Sequence, residues 1–570
     1  MIMRCVETPE RHRFRAAYWR QQAEALDWHT PYQQVAAYQG HGPRSRWFVG
    51  GTTNLCHNAL DRHLAARGDK TAILHCDYAG QITALSYREL HQEVQAMAWM
   101  LHQQGVGKGD RVLICLPMIP QAAIAMLACC RLGAVHVVVY SGLTHEPLAQ
   151  RIRASQPKSI VTYAGQREQP CAAHLTQALC SSGYRCPLID VSSAHFQQKR
   201  QRALGRTVPC CWLPADAPSH LLYTSGTTGE PKGVVRDTGG YAVALLASIR
   251  NIFQLGEDEI FFTSADVGWV TGHSYGVYAP LLAGLTTVMV EASALNKPGA
   301  RWWQWVQQLG ITRMLTVPGA MRMARQQGAP RADLRSLRAI YLAGEPLDEP
   351  TRQWVAAVTG IKVEDHYWQT ETGWPILTGV GGQLRPVSPR DVEVLDDITG
   401  EPCADGVPGT LVIRDTLGPG GMSTLWQDDV EHDQRYWRRE QGRWLYSTHD
   451  RAVRNAQGAI TVLGRMDDVI NVGGKRLSTV EVERAVLAID GVSEAAAVGI
   501  AHRLLGQMVS LYLVTSFDAG RDMHQLKQRV RQRIVASCGR HALPRHIYFV
   551  VALPRTFSGK VVRKQLASRG

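Results

Sequence analysis

Residues 224–233 read Thr-Ser-Gly-Thr-Thr-Gly-Glu-Pro-Lys-Gly and follow a short apolar run, His220 to Tyr223, that has the character of a strand end. Glycines let a backbone turn tightly and bring its N–H groups close to an anion. The hydroxyls of Thr224, Ser225, Thr227 and Thr228 can donate hydrogen bonds to phosphate oxygens, and Lys232 adds a point charge. The segment therefore reads as a loop that grips phosphate. It is not the Gly-x-x-x-x-Gly-Lys-Ser/Thr loop, because Gly233 follows Lys232 and the hydroxyls precede it.

Further clusters lie downstream. Asp266 to Tyr275 mixes glycines with aromatics, and Gly344-Glu345-Pro346 follows an apolar run, Ala339 to Ala343. Asp365 to Gly373 sets Tyr367 and Trp368 beside Glu371 and several hydroxyls. Thr448-His449-Asp450 precedes Gly464-Arg465, then Gly473-Gly474-Lys475-Arg476, and finally Ser558-Gly559-Lys560. Taken one at a time these clusters are weak signals. No Cys-x-x-Cys or other metal-ligand spacing is present.

These residues need a scaffold. Arg111–Pro117, His136–Tyr140 and Ser159–Tyr163 read as strands separated by helices at Gln121–Leu132 and Glu146–Ser155. Strand–helix alternation with short links predicts a parallel sheet with helices on its faces. A second α/β stretch runs from Tyr223 to Leu342, and a strand-rich segment covers about Arg385–Gly464. The tail has strands at Val492–Gly499 and Val509–Val514 and an amphipathic helix at Asp522–Ala536, enough for a small α+β domain. A large domain, 1–465, and a small one, 466–570, are expected.

At 570 residues the chain exceeds a single core. The formal charge of +13 is carried by scattered basic residues, with one modest concentration at Lys527–Arg533. That favours a solvated surface and a few anion-binding arginines over a nucleic-acid partner. The uncharged runs Val112–Cys130 and Val267–Val290 are broken by prolines or glycines, so no membrane span is expected. The thirteen cysteines, several in apolar company (Cys115, Cys129, Cys130), suit a reducing cytoplasm.

In this order, the motifs resemble those of the adenylate-forming enzymes, and among them the propionyl- and acetyl-CoA synthetases. The likeness rests on Tyr223–Lys232, Arg236-Asp237 with Gly239-Gly240-Tyr241, His273-Ser274-Tyr275, Tyr341–Pro350 and Tyr367–Glu371 followed by Gly373-Trp374-Pro375. Asn54–Ala59 resembles the family's amino-terminal segment. The resemblance implies a carboxylate that attacks the α-phosphorus of ATP, with Mg²⁺ present, and coenzyme A as acceptor of the acyl group. A carrier-protein phosphopantetheine or an amine is the alternative acceptor, and a non-catalytic nucleotide-binding protein is the alternative of another class.

The same resemblance implies the roles. Thr224, Ser225, Gly226, Thr227, Thr228, Gly229 and Lys232 hold the β- and γ-phosphates. Gly344, Glu345, Pro346 and Tyr367 sandwich the adenine, within a nucleotide-facing run that includes Asp365, His366, Trp368, Gln369 and Thr370. Asp450 takes the ribose hydroxyls, supported by Arg465, and Arg476 meets the phosphates. Glu371 is the Mg²⁺ ligand. Lys560 joins the attacking carboxylate to the α-phosphate and, with Glu371 and Thr224, forms the catalytic set; it is also the position where an acetyltransferase and deacetylase would act. Val270, Thr271, Ala343 and Trp368 wall an acyl pocket fit for a short-chain carboxylate. Arg167, Gly142, Gly473 and Gly474 face coenzyme A, and Asp467 is the hinge. His273 stands either at the acyl site or in a core hydrogen bond. The chain departs from the family by a shortened segment after Glu371, Arg385–Arg390, and by a weak coenzyme A segment, Gly165-Gln166-Arg167.

Overall fold

The computed structural model describes residues 9–38, 43–164, 170–224, 231–291, 300–387, 389, 391–440, 443–466, 469–472, 475–502, 506–515, 523–555 and 561–568, with a few of these (9–13, 170–173, 300–301, 443, 469, 471, 475–476, 506, 541, 564) described by backbone alone. The strands Arg111–Cys115, Val135–Val138 and Ser159–Thr162 are parallel, joined by the helices Pro120–Leu132 and His145–Ser155. The chain leaves the central strand Arg111–Cys115 first to one side and then returns to the other. That reversal leaves a crevice beyond the carboxyl ends of the strands, where open α/β sheets take ligands. Pro120–Leu132 is buried on nearly every face, which explains its continuous apolar run. Proline at its start and left-handed Gly133 after its end fix its length.

This first sheet has seven strands, extended by the parallel Pro218–Thr224 and then by the antiparallel Lys232–Asp237 and Thr424–Leu425. The second sheet has a parallel centre, built from Ile260–Thr263, Thr286–Val290, Arg313–Thr316, Ala339–Ala343 and Glu364–Tyr367. Two strands from far upstream, Thr71–Cys76 and Ile82–Ser86, complete one edge. The strand-rich segment continues the other edge in antiparallel fashion through Leu377–Val380, Gln383–Pro386, Ile460–Arg465 and Arg443–Arg454. Gly381 and Gly382 join the first two of these with φ of 66° and 73°. A two-residue turn needing positive φ twice takes glycine at both places.

The tail forms a sheet of its own from Val469–Val472, Lys475–Ser478, Val492–His502, Gly506–Thr515 and His546–Phe549, backed by the helices Thr479–Leu487 and Met523–Cys538. Sheet membership changes between Arg465 and Val469. The architecture is thus α/β, with a large amino-terminal body and a small α+β carboxyl-terminal one. Ser478 Oγ donates to the Leu463 carbonyl across the change. Arg484, on Thr479–Leu487, is half-buried and interacts electrostatically with Asp365 of the large body.

The amino-terminal helix Pro9–Ala23 is pinned by Trp19, whose ring meets Trp374 edge-on at 5.7 Å. Asn54 caps the helix Leu55–Ala59 and donates to the carbonyls of Cys130 and Cys211, each at 2.8 Å, so that motif is a structural clamp. Among the described residues no helix is long and apolar enough to cross a membrane. Cys129 and Cys130 are free and buried, but Cys115 is disulfide-bonded, which departs from the expectation of a free thiol there.

Candidate active site

Thr224 and Lys232 are cross-strand partners, so the phosphate-type loop is the tip of an antiparallel pair and not a strand-to-helix turn. Ser225, Gly226, Thr227, Thr228 and Gly229 lie outside the described residues. The Lys232 ammonium, with a side chain only 10% exposed, is paired with the Glu431 carboxylate of the helix Asp429–Tyr436. That pair holds the Glu431 carboxyl below its usual range. Glu431 sits 199 positions from Lys232, with no sequence signal linking the two.

Asp450 is aimed by a bulge. In the strand Arg443–Arg454 the register against Pro408–Arg414 shifts between Thr410 and Val412, and His449 takes a left-handed φ of 55°. Bulges re-aim side chains at sites. The Asp450 carboxylate, in a residue 6% exposed, accepts from the Tyr367 hydroxyl and from Gln369 Nε2 at 2.8 Å. Arg465, its cross-strand partner, lies 3.8 Å away. Burial and the adjacent carboxylate push the Tyr367 phenol well up, so it stays a donor.

The network continues from there. Gln369 Nε2 also donates to the Thr448 carbonyl at 2.6 Å, and Gln369 Oε1 accepts from the Tyr446 hydroxyl at 3.1 Å. Tyr446 stacks on Tyr436 at 5.9 Å, and the Tyr436 hydroxyl donates to Glu371 Oε1 at 3.0 Å. Glu371 and Asp450 therefore face one tyrosine–glutamine cluster. The main chain of Glu371 is fixed too, since its carbonyl accepts from Met422 N at 2.7 Å and from Arg236 Nη1 at 3.4 Å. Arg236 is fully buried, and desolvation lowers it to about 10.

The strip Gly344-Glu345-Pro346 is organised by Arg322, which reaches Glu345 Oε1 and Asp348 Oδ2 at 2.8 Å each and the Pro346 carbonyl at 3.3 Å. Neither Arg322 nor Tyr436 belongs to a motif, and sequence reasoning missed both. Gly344 has φ of 101° and open space where a Cβ would stand. Asp365 is engaged by Arg352 at 2.9 and 3.0 Å and by the Gly382 amide at 2.8 Å. His366 is buried among the rings of Phe253, Tyr341 and Trp368, and desolvation lowers its imidazole to about 3. Asp365 thus spends its carboxylate on an ion pair and a backbone amide, and His366 its ring on packing, while Thr370 is half-buried in the turn after the strand.

Ala343 and Trp368 lie at the carboxyl ends of neighbouring parallel strands, where Ala343 pairs with His366. The Trp368 ring meets Tyr275 at 5.9 Å, within the buried helical run that Val270 and Thr271 open. Gly268, just before that run, packs where a Cβ would collide with the backbone N and Cα of Tyr140, so only glycine lets the turn approach the strand. Gly142 follows close by, against the Tyr140 ring. Of the remaining expected residues, Arg476 is placed on Lys475–Ser478 opposite Asn471, by backbone only. Arg167, Asp467, Gly473, Gly474 and Lys560 lie outside the described residues.

Residues 60–426 match the family model described as AMP-binding enzyme. Residues 10–59 match the acetyl-coenzyme A synthetase N-terminus, and 481–560 the AMP-binding enzyme C-terminal domain. The chain belongs to the AMP-binding enzymes, and within them it is an AMP-forming acyl-CoA ligase. It is 38% identical to the propionate–CoA ligase of Salmonella typhimurium, over 96% of this chain and 93% of that one. It is 36% identical to the acetyl-coenzyme A synthetase of Methylobacterium radiotolerans, over 96% and 89%. The fold resembles that of the acetoacetyl-CoA synthetase from Streptomyces lividans, with a TM-score of 0.84 at 22% identity, over 97% and 88%.

Proposed function

We propose that the chain activates a short-chain carboxylate, with propionate preferred, by ATP-dependent formation of acyl-AMP and transfer of the acyl group to coenzyme A. The observation that carries this reading is the pair of hydrogen-bonded carboxylates, Asp450 and Glu371, whose shells meet at the Tyr436–Tyr446 ring stack. Asp450, acceptor-only and fixed by Tyr367 and Gln369, is suited to receive two ribose hydroxyls. The strip 344–346 and Tyr367 flank the adenine.

In the first step a carboxylate oxygen attacks the α-phosphorus and the bond to pyrophosphate breaks. Two anions meet there, so the residues act by positioning and by neutralising charge. Lys232 leaves Glu431 for a phosphate, Arg476 adds a second cation, and Lys560 spans the carboxylate and α-phosphate. Glu371 offers the hard oxygen that Mg²⁺ takes, held on one side by Tyr436. When bound, that ion neutralises phosphate charge. In the second step the coenzyme A thiolate attacks the acyl carbonyl and AMP leaves, with Gly142, Arg167, Gly473 and Gly474 on the thiol side and Asp467 as the hinge between the body 1–465 and the domain 466–570.

The acyl pocket sets chain length. Trp368, braced by Tyr275, closes it, Val270 and Thr271 form a wall, and small Ala343 leaves room for one methylene beyond acetate. A methylene is worth only about 1–3 kcal/mol in such a pocket, so acetate and butyrate are weaker substrates rather than excluded ones. Pyrophosphate release over a panel of aliphatic acids, with and without coenzyme A, tests the reading. Propionate-dependent exchange and propionyl-CoA as product are expected. No acid-dependent exchange overturns it, and exchange without a thioester moves the acceptor to a carrier protein or amine.

A further inference from the structure

Behind the acyl wall lie three histidines from distant parts of the chain. His136 and His220 are cross-strand partners on Val135–Val138 and Pro218–Thr224, so their side chains share one face of the first sheet. His273 reaches that face from the end of the helix Val270–His273. Each is 0% exposed. One ring nitrogen from each lies within 4.8 Å of the others. We propose that His136, His220 and His273 form a buried binding site for a transition-metal ion of the Zn²⁺ class, ligated through their Nε2 atoms.

The hydrogen bonds sort the nitrogens. His273 Nδ1 is 3.1 Å from the Tyr241 hydroxyl, and His220 Nδ1 is 2.9 Å from Ser219 Oγ. His136 Nδ1 is 3.8 Å from Cys130 Sγ, and a backbone group of Ser219 also bonds this ring. Metal-bound histidines tie their outer nitrogen to such partners, which fixes the tautomer. The inner nitrogens are unevenly served without an ion. His136 Nε2 is 3.0 Å from both His273 Nε2 and the Tyr278 hydroxyl, while buried His220 Nε2 has no hydrogen-bond partner. An unpaired buried polar atom costs about 1–3 kcal/mol. A cation at about 2.0–2.1 Å from each Nε2 would use all three lone pairs at once.

The surrounding groups suit a soft or borderline ion. Tyr278 supplies an oxygen beside His136 Nε2, and its hydroxyl is 3.2 Å from Cys130 Sγ. Imidazoles with a nearby thiol select zinc, cobalt or copper over magnesium. Arg236 opposes a further cation here, since it acts electrostatically on His220 and His273, but Asp237 and Glu371 act on Arg236 in turn. Because the site is closed to solvent, the ion must load as the chain folds.

The test refolds untagged chain from denaturant with Co²⁺, removes loose metal with a chelator, and measures cobalt content and visible absorption. About one tightly held cobalt per chain with tetrahedral ligand-field bands is expected. Both His220→Leu and His220→Gln should lose the bands, and cobalt should raise the melting temperature of the wild type alone. The two variants guard against one that fails to fold. Equal cobalt content in wild type and variants, or a wild type without the bands, overturns the site and leaves a metal-free polar core. ATP–pyrophosphate exchange with magnesium is scored separately, so failure of the metal site and failure of the ligase reading are distinguishable.

Discussion

The Asp450–Glu371 cluster and the histidine cluster at the end of the helix Val270–His273 treat polar groups in opposite ways. In the first, the two carboxylates are bonded within their own shell: Asp450 by Tyr367 and Gln369, Glu371 by Tyr436. In the second, three imidazoles converge with a nitrogen left over. The first cluster is preorganised, its carboxylates fixed by their own hydrogen bonds, as the proposed nucleotide site requires. The second is incomplete as a hydrogen-bonded core and becomes complete around an ion. Carboxylates anchored from one side, as Glu371 is by Tyr436, keep oxygens for an incoming ligand. A closed, unsatisfied cluster marks a place where a small ligand is built in.

The strongest way to break that contrast is at Asp450. Asp450→Ala removes the proposed ribose acceptor and leaves the Tyr367 hydroxyl and Gln369 amide without their carboxylate. With about 1–3 kcal/mol for each stranded group and the lost ligand bonds besides, ATP–pyrophosphate exchange should fall at least about 100-fold. Asp450→Asn, which still accepts on one oxygen, should recover part of it. Unchanged exchange in the alanine variant would remove this cluster from the nucleotide site. Next in size is Trp368→Gly. Removing the ring braced by Tyr275 should lower kcat/KM for propionate by about tenfold and raise that for hexanoate by at least as much, read with an acid panel. A variant that keeps the propionate preference would relocate the pocket floor.

Much of the first cluster was legible because its residues come in compact runs. Thr448-His449-Asp450 is three consecutive positions, and the bulge that aims Asp450 is local. Tyr436, Arg322 and Glu431 were not legible, since each acts across a long sequence distance (65 positions from Tyr436 to Glu371) through ordinary packing. The histidines illustrate the same limit. A search for metal-ligand spacing finds nothing in His136, His220 and His273, because two sheet strands and a helix bring them together and no local spacing does. The parallel strands Arg111–Cys115, Val135–Val138 and Ser159–Thr162 were readable from alternation with helices. The recruitment of Thr71–Cys76 into the second sheet was not, because pairing across more than 200 residues leaves no periodic trace.

Asp237 sharpens the comparison through pH. It lies beside Arg236 between the two clusters, and burial pushes its carboxyl up to about 7 despite that arginine. Between the ordinary carboxylate range and that value the folded chain holds a proton that the unfolded chain releases. Stability therefore falls as pH rises from about 4 to 7 and levels above. Asp237→Asn keeps the acceptor that caps Tyr241 N at 2.9 Å and removes this slope. The variant should match wild type near pH 4 and become the more stable of the two toward pH 7, as read by melting temperature across pH. A difference independent of pH would mean that Asp237 is ionised throughout.

The smallest effect is expected at Glu431, and it bears on how complete the nucleotide site is before ATP arrives. The Lys232 ammonium is held by Glu431, so a phosphate must displace a carboxylate before it gains the cation. Glu431 is about a third exposed, and a partly solvated ion pair contributes about 1 kcal/mol or less. Glu431→Gln should therefore lower KM for ATP by no more than about fivefold and leave kcat nearly unchanged. It should also weaken the salt dependence of ATP binding less than Lys232→Met, which removes the phosphate partner itself. A rise in KM would show that Glu431 orients Lys232 toward the phosphates instead of competing with them, and the pair would then join Asp450–Tyr367 as part of the preorganised cluster.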